Sequence, residues 1–297
     1  MQEFINYWQH IYYHLNPIAF KLGSFSVHWY GICYAFALLF AIYVAKWFIK
    51  KDKIDIKQEL FDSYIWWAEI GVILGARLGY IIFYDTHTSY YLSHPWQIFN
   101  PFYDGVFVGI SGMSYHGAFI GFIISSLLFC RKHKLSFWFL GDISVLGISA
   151  AYTFGRIGNF LNHGLVGRLT TEPWGIYVNG ALRQPSQLYE AFLEGVVVFV
   201  ILSFIRKKTR FQGELTLIYG FLYSIMRIIS EFYRQPDVQL GFLYGGWLTM
   251  GMLISGIFAV VCIVLWFWMK EQNQIKIQAQ SNIKSKSARV NSKKSRN

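Results

Sequence analysis

Charge is scarce in this chain. Only 14% of its 297 residues are Asp, Glu, Lys or Arg, where a soluble globular chain carries about 25%. That scarcity excludes a soluble domain of ordinary composition. Cysteine is scarce as well: Cys33, Cys130 and Cys262 each sit in or at the edge of an apolar run, with no CxxC pair. A disulfide framework and a thiolate metal site are therefore excluded. GxSxG, HExxH and DxDxDG are all missing, so neither a hydrolase elbow nor a zinc or calcium motif is on offer. The first residues, MQEFINYWQH, lack the basic region, apolar core and small-residue cleavage site of a removable signal peptide.

Apolar and aromatic residues are abundant. They reach 54% and 20% of the chain, with 11 Trp and 20 Tyr, a supply that suits two membrane–water interfaces. The composition predicts an all-α integral membrane protein. Windows of about twenty apolar residues fall at roughly 29–49, 64–84, 106–130, 139–159, 187–205, 214–232 and 244–269. Seven transmembrane helices place the two termini on opposite sides.

Loop charge chooses the sides. Lys50, Lys51, Lys53 and Lys57 fill the first loop, Arg131, Lys132 and Lys134 the third, and Arg206, Lys207, Lys208 and Arg210 the fifth. The long second loop, 85–105, has no Lys or Arg, and the fourth and sixth have only Arg168, Arg183 and Arg234. The positive-inside bias puts the N-terminus outside and the C-terminus in the cytoplasm. The net charge of +11 owes much to the tail, which holds eight Lys/Arg and one acid between Lys270 and Arg296. Its Ser/Asn/Gln-rich, aromatic-free composition predicts a disordered cytoplasmic segment, 270–297, near anionic lipid rather than a nucleic-acid surface. Residues 1–269 form the seven-span domain. No repeat of Gly/Pro-broken spans marks an inverted-repeat transporter.

Ionisable groups within these spans read as functional, because they are costly in hydrocarbon. They are Arg77, His116, Arg156, Glu190, Glu194, Arg227 and Glu231, with His28 and Tyr30 where the first span begins. The topology sets most of them at or near the outer face. Arg77 falls roughly 10 Å below it, and His116, about ten residues into its span, near mid-depth. Each has a plainer explanation. His28 and Tyr30 serve equally as interfacial anchors, Arg77 as a structural ion-pair partner, and Glu190 and Glu194 as counter-charges. Gly117 and Gly121 fit a close helix-packing face better than a phosphate loop. Arg156 and Arg227 are harder to explain away. Two guanidiniums accompanied by amides suit an anion, and in an outer leaflet the plentiful anions are phospholipid headgroups. The residues alone reach a membrane enzyme or binder of an anionic headgroup; the reaction does not follow from them.

Six stretches carry a resemblance: HWYG (28–31), GARLGYIIFY (75–84), SGMSYHGAFIG (111–121), GRIGNFLN (155–162), PSQLYEAFLEG (185–195) and RIISEFYRQPD (227–237). In this order they resemble the phosphatidylglycerol–prolipoprotein diacylglyceryl transferase family across residues 20–265. The resemblance implies a bacterial inner-membrane enzyme that needs no metal or cofactor. Its partners are phosphatidylglycerol, membrane lipid and a preprolipoprotein signal peptide with a lipobox cysteine. It implies that Arg156 and Arg227 hold the lipid phosphate, that Asn159 and Gly167 position the headgroup, and that Tyr30 lines the site. His28, Glu190 and Arg77 join the same headgroup-binding set. His116 is a candidate for activating the thiol; Glu231 or the substrate phosphate are the alternatives. The chain departs from the family pattern at three places. Gly164 stands where a Glu is usual, Gln184 where a His is usual, and Met250-Gly251-Met252 where the last span usually opens Gly-Gln. His163 or Glu190 is then expected to stand in for the missing carboxylate. A lipid transporter and a catalytically altered relative are the competing readings.

Overall fold

A computed structural model describes residues 1–23, 25–85, 88–103, 105–107, 112–236 and 241–294. Ser111 and Asp237, the ends of two of the motifs, lie outside the described residues. The molecule is mostly helical, and its strands pair only two by two. Among the described residues, five helical segments are long and apolar enough to cross a bilayer. They are α3 (Trp29–Lys51), α4 (Gln58–Phe83), α7 (Phe137–Leu161), the run Ser186–Lys208, and the first part of α11 (Met250–Lys294). The Ser186–Lys208 run comprises α8 (Ser186–Glu190), a π-helical stretch Ala191–Val197 and α9 (Val198–Ile205), ending in a 3-10 turn. At 1.5 Å per residue a 23-residue helix exceeds the roughly 30 Å hydrocarbon layer.

The third and sixth expected spans are helices of 19 and 18 residues, α6 (Tyr115–His133) and α10 (Glu214–Glu231). The third was expected from residue 106. Instead Val106–Phe107 is strand β4, paired antiparallel with β3 (Phe102–Tyr103), and the helix starts only where Ser114 caps it by accepting from the Gly117 N–H at 3.2 Å. Ser is among the preferred N-cap residues for this reason. His116 therefore sits exposed in the first turn of α6, not ten residues into it. The last helix continues through Lys294 across the segment whose composition reads as a tail. Beyond Gly256 that segment contains neither Gly nor Pro, so local propensity has nothing to stop it.

The chain forms two compact units, Met1–Phe20, Val27–Ala45 and Ser144–Asn297 in one, Lys21–Ser26 and Lys46–Ile143 in the other. In the second unit α4 and α6 pack backbone against backbone. Gly71, Gly75 and Gly79 recur every four residues opposite Gly117, Gly121 and Ser125. A Cβ added to Gly121 would lie 2.1 Å from the Gly71 carbonyl oxygen, and one on Gly117 2.3 Å from that of Gly75. Small residues at i, i+4 spacing allow this approach in helix pairs that lipid alone does not drive together. The packing-face explanation of Gly117 and Gly121 is the one realised.

In the first unit α10 packs along α11, where a Cβ at Gly220 would lie 2.7 Å from the Cys262 sulfur. On α7, Gly195 of the π-helical stretch faces Thr153, whose Oγ1 would be 2.2 Å from an added Cβ. After α7 the hairpin β5 (Ile176–Val178) and β6 (Ala181–Arg183) turns on Asn179-Gly180. Both turn residues have positive φ, 50° and 78°, the requirement of a two-residue hairpin loop. The short helices α1 (Gln2–Gln9) and α2 (Ile11–His14) fasten on here. Trp8 Nε1 donates to the Trp174 carbonyl at 2.7 Å, and His10 stacks on Tyr177.

Candidate active site

Three elements of the first unit converge on one buried cluster. The C-terminal part of α7 contributes Tyr152 and Arg156, the α8–π junction contributes Glu190 and Glu194, and the end of α10 contributes Arg227, Ser230 and Glu231. Arg234 follows three residues later. Glu190 Oε2 lies 3.0 Å from Arg156 Nε and 3.1 Å from Arg227 Nη1. Glu231 Oε2 lies 2.6 Å from Arg227 Nη2 and 3.7 Å from Arg234 Nη1. Glu194 Oε1 is 3.6 Å from Arg227 Nη1 and accepts from Ser230 Oγ at 2.5 Å. Its other oxygen accepts from the Tyr152 hydroxyl, which in turn accepts from Arg156 Nε at 2.7 Å.

Three guanidiniums thus face three carboxylates. A buried charge left alone is strongly destabilising, and removing one partner of such a set costs several kcal/mol. Depth orders the two sides. The Glu190 and Glu194 side chains are 0% exposed and that of Glu231 3%, whereas Arg156 keeps 19% and Arg227 10%. The guanidiniums form the accessible lip and the carboxylates the floor. Glu190 is held by charge more than by hydrogen bonding: neither oxygen accepts an aligned bond, despite the two arginines beside it.

The floor is braced from α11. Thr249 Oγ1 caps that helix by accepting from the Met252 N–H at 3.2 Å and donates to Glu231 Oε1 at 3.1 Å. A Cβ at Gly251 would fall 2.8 Å from the same oxygen, so the departing Met-Gly-Met opening still provides the glycine the carboxylate needs.

The turn after α7 closes on backbone. The Gly164 N–H donates to the Asn159 carbonyl at 3.0 Å, with His163 and Leu165 at φ of 56°. Gln187 donates through Nε2 to the Gly164 carbonyl and to the Tyr12 hydroxyl, and the Tyr12 ring stacks on His163 at 4.0 Å. Burial pushes the Tyr12 phenol up and the His163 imidazole down, a backbone hydrogen bond at Leu15 partly offsetting the latter. Gly164 leaves its Cβ direction nearly empty, the Asn159 oxygen at 3.9 Å being the nearest atom. Gln184 is structural, donating to Thr170 Oγ1 at 2.8 Å and accepting from Tyr189 at 2.6 Å.

Of the residues expected from the sequence, Arg156, Arg227, Glu190 and Glu231 meet directly. Asn159 lies half-buried one turn beyond Arg156 on α7. Tyr30 packs on that helix, 3.4 Å from where a Gly158 Cβ would stand. Gly167 is a node of main chain: a Cβ there would meet the Gln184 and Tyr233 carbonyls at 2.2 and 2.7 Å. His28 ends strand β2 (Phe25–His28) in an exposed position. His116 and Arg77 belong to the second unit. His116 Nδ1 lies 3.5 Å from the Tyr84 hydroxyl. Arg77 is buried, donating to the Ile98 carbonyl at 2.5 Å, the Gly112 carbonyl at 3.2 Å and the Tyr91 hydroxyl at 3.4 Å. These bonds tie the loop after α4 to the helix.

Sequence reasoning missed Tyr152, Ser230, Arg168, Thr249 and Arg234. The first stands at i−4 from Arg156 and the second beside Glu231, which was the available signal. Arg168 donates to the Arg234 and Glu231 carbonyls at 3.0 and 3.1 Å, capping the end of α10.

Comparison with known proteins decides the family. The sequence profile of the prolipoprotein diacylglyceryl transferase family matches residues 17–268. The chain belongs to this family. Among its relatives, phosphatidylglycerol–prolipoprotein diacylglyceryl transferase of Aliarcobacter butzleri is 68% identical over 259 residues, 87% of this chain and 95% of that protein. The Campylobacter jejuni and Wolinella succinogenes proteins of the same name are 56% and 55% identical, covering 90% and 91% of this chain and 98% and 99% of their own. This member of the prolipoprotein diacylglyceryl transferases is a multi-pass membrane transferase.

Proposed function

We propose that this protein transfers the diacylglyceryl group of phosphatidylglycerol to the lipobox cysteine of a preprolipoprotein, at the outer face of the bacterial inner membrane. The observation that carries the reading is the lip of two guanidiniums above three buried carboxylates. The cysteine sulfur attacks the glycerol carbon that bears the phosphate ester. A C–S bond forms, the C–O bond breaks, and glycerol phosphate leaves with the bonding pair. Its phosphate gains negative charge as the bond breaks, and Arg156 and Arg227 stabilise that charge where it develops. The carboxylates hold both guanidiniums in place before the lipid arrives, so little reorganisation accompanies the reaction.

A thiol of pKa about 8.5 must lose its proton to become the nucleophile. Glu231 is committed to Arg227, Arg234 and Thr249, whereas His116 stands exposed at a helix start and carries an imidazole, the commonest general base. His116 therefore takes the proton. Glu190, already on both arginines, supplies the negative charge absent at Gly164. Asn159, Gly167, Tyr30, His28 and Arg77 serve headgroup binding. The chain crosses the membrane seven times within residues 1–269, N-terminus outside, with 270–297 as a cytoplasmic basic tail.

The test uses purified protein, phosphatidylglycerol and a lipobox peptide. A peptide mass gain of one diacylglyceryl unit on cysteine, with glycerol phosphate released, is the expected result. Binding without an adduct would overturn the proposal. A His116→Gln variant that kept the wild-type pH–rate profile would remove His116 from the chemistry.

A further inference from the structure

An arginine side chain on a helix has many rotamers, and the motifs that carry the family resemblance leave open what aims Arg156. Tyr152, one turn earlier, takes its Nε hydrogen at 2.7 Å and presents its ring 4.8 Å from the guanidinium carbon. The Nη nitrogens make no hydrogen bond to a described residue, and the side chain is 19% exposed. Tyr152 is itself fixed. Its hydroxyl hydrogen goes to Glu194, and its ring meets Tyr223 edge-on at 5.6 Å. Ser230 holds the other Glu194 oxygen, and Arg227 stands 3.6 Å from it. A continuous relay therefore runs from Arg156 through Tyr152 and Glu194 to the helix that carries Arg227.

We propose that Tyr152 is a positioning residue for phosphate recognition. By occupying Nε it turns the paired Nη edge of Arg156 toward the headgroup, and through Glu194 it registers that edge against Arg227. A phenol suits the place because it accepts and donates at once without adding charge. A carboxylate there would upset the balance of three against three. The inference rests on Arg156 and Arg227 as the phosphate pair.

The test is steady-state kinetics on the full chain in lipid micelles, with phosphatidylglycerol and lipobox peptide varied separately. Tyr152→Phe keeps the ring and removes the hydroxyl that bonds both Arg156 and Glu194, a loss expected to raise KM for the lipid about tenfold or more. KM for the peptide stays within about twofold, since the relay touches only the arginines. In an Arg156→Gln background the same substitution adds less than about twofold, because residues acting through one another are non-additive. Partial misfolding lowers Vmax and leaves both KM values in place, so the split reads positioning alone. If Arg156→Gln raises the lipid KM and Tyr152→Phe does not, this inference fails and the phosphate site stands. If Arg156→Gln leaves that KM unchanged, the phosphate site itself fails. Ser230→Ala removes a different donor from Glu194. A lipid KM shift there as large as in Tyr152→Phe would move the effect to the carboxylate and overturn the assignment to Tyr152.

Discussion

Single residues in this protein are defined by what they are paired with. Arg227 reaches Glu190, Glu194 and Glu231 from one planar fork, and a lysine ammonium, a point charge on a flexible stem, cannot span three carboxylates. Arg227→Lys is expected to lower kcat/KM about a hundredfold, the usual cost of losing one preorganised donor to a developing anion. Initial rates over a lipid titration measure it, and a loss below about tenfold would contradict the role. His163 sits outside the chemistry but titrates. Burial holds its imidazole below the ordinary value, so on acidification the unfolded chain takes up the proton before the folded one does. Stability therefore falls as pH drops below about 6.5. His163→Asn, which tolerates the positive φ, is expected to flatten the fall of the thermal midpoint between about pH 7 and about pH 5. An unchanged slope would dismiss His163 as its source.

Helices decide how closely these residues approach. The α4–α6 pair has no space for a single methyl at Gly121, where a Cβ would stand 2.1 Å from a backbone oxygen that cannot step aside. Gly121→Ala is expected to cost about 1–3 kcal/mol as overpacking, and to lower the melting temperature by several degrees in detergent. Gly256→Ala on α11 meets nothing within 4 Å and is expected to leave it unchanged or slightly higher. Equal shifts in the two variants would show that the close approach is unimportant. At this scale the sequence was informative where a charge interrupted an apolar run. Arg156, Glu190, Arg227 and Glu231 stand out for that reason, and they do meet. The start of α6 was not legible, because Val106 and Phe107 read as apolar whether they enter a helix or a two-residue strand. His116 consequently moved from mid-span to a helix end. Tyr152 and Ser230 were hidden by type: in a membrane helix a Tyr reads as core or interface, and a Ser returns its hydroxyl to the backbone without comment. Only the fold shows that both spend their hydrogens on Glu194.

For the molecule as a whole, the proposed reading puts catalysis and membrane attraction on different parts of the chain. α11 is tied to the first residue of α10 by Trp266, which donates to Glu214 at 3.1 Å, and to the loop before it by Asn273, which donates to the Arg210 carbonyl. Six of the tail's basic residues follow Gln278. A chain ending at Gln278 loses an attraction of about 1 kcal/mol per Lys or Arg at an anionic surface, which matters little to a protein already inserted. Its kcat/KM is expected within about twofold of the full chain, and a loss beyond tenfold would give the tail a catalytic part. With the cluster as the proposed phosphate site, its even match of three guanidiniums and three carboxylates has one more consequence, for turnover. A site of zero formal charge offers little to stray chloride or phosphate, so occupancy falls to the anion that also brings two acyl chains. Once the lipid is cleaved, the departing glycerol phosphate has lost that hydrophobic hold and carries more negative charge than before. It now faces three fixed anions across the two arginines. The floor that readies the enzyme for substrate also hastens the exit of the product.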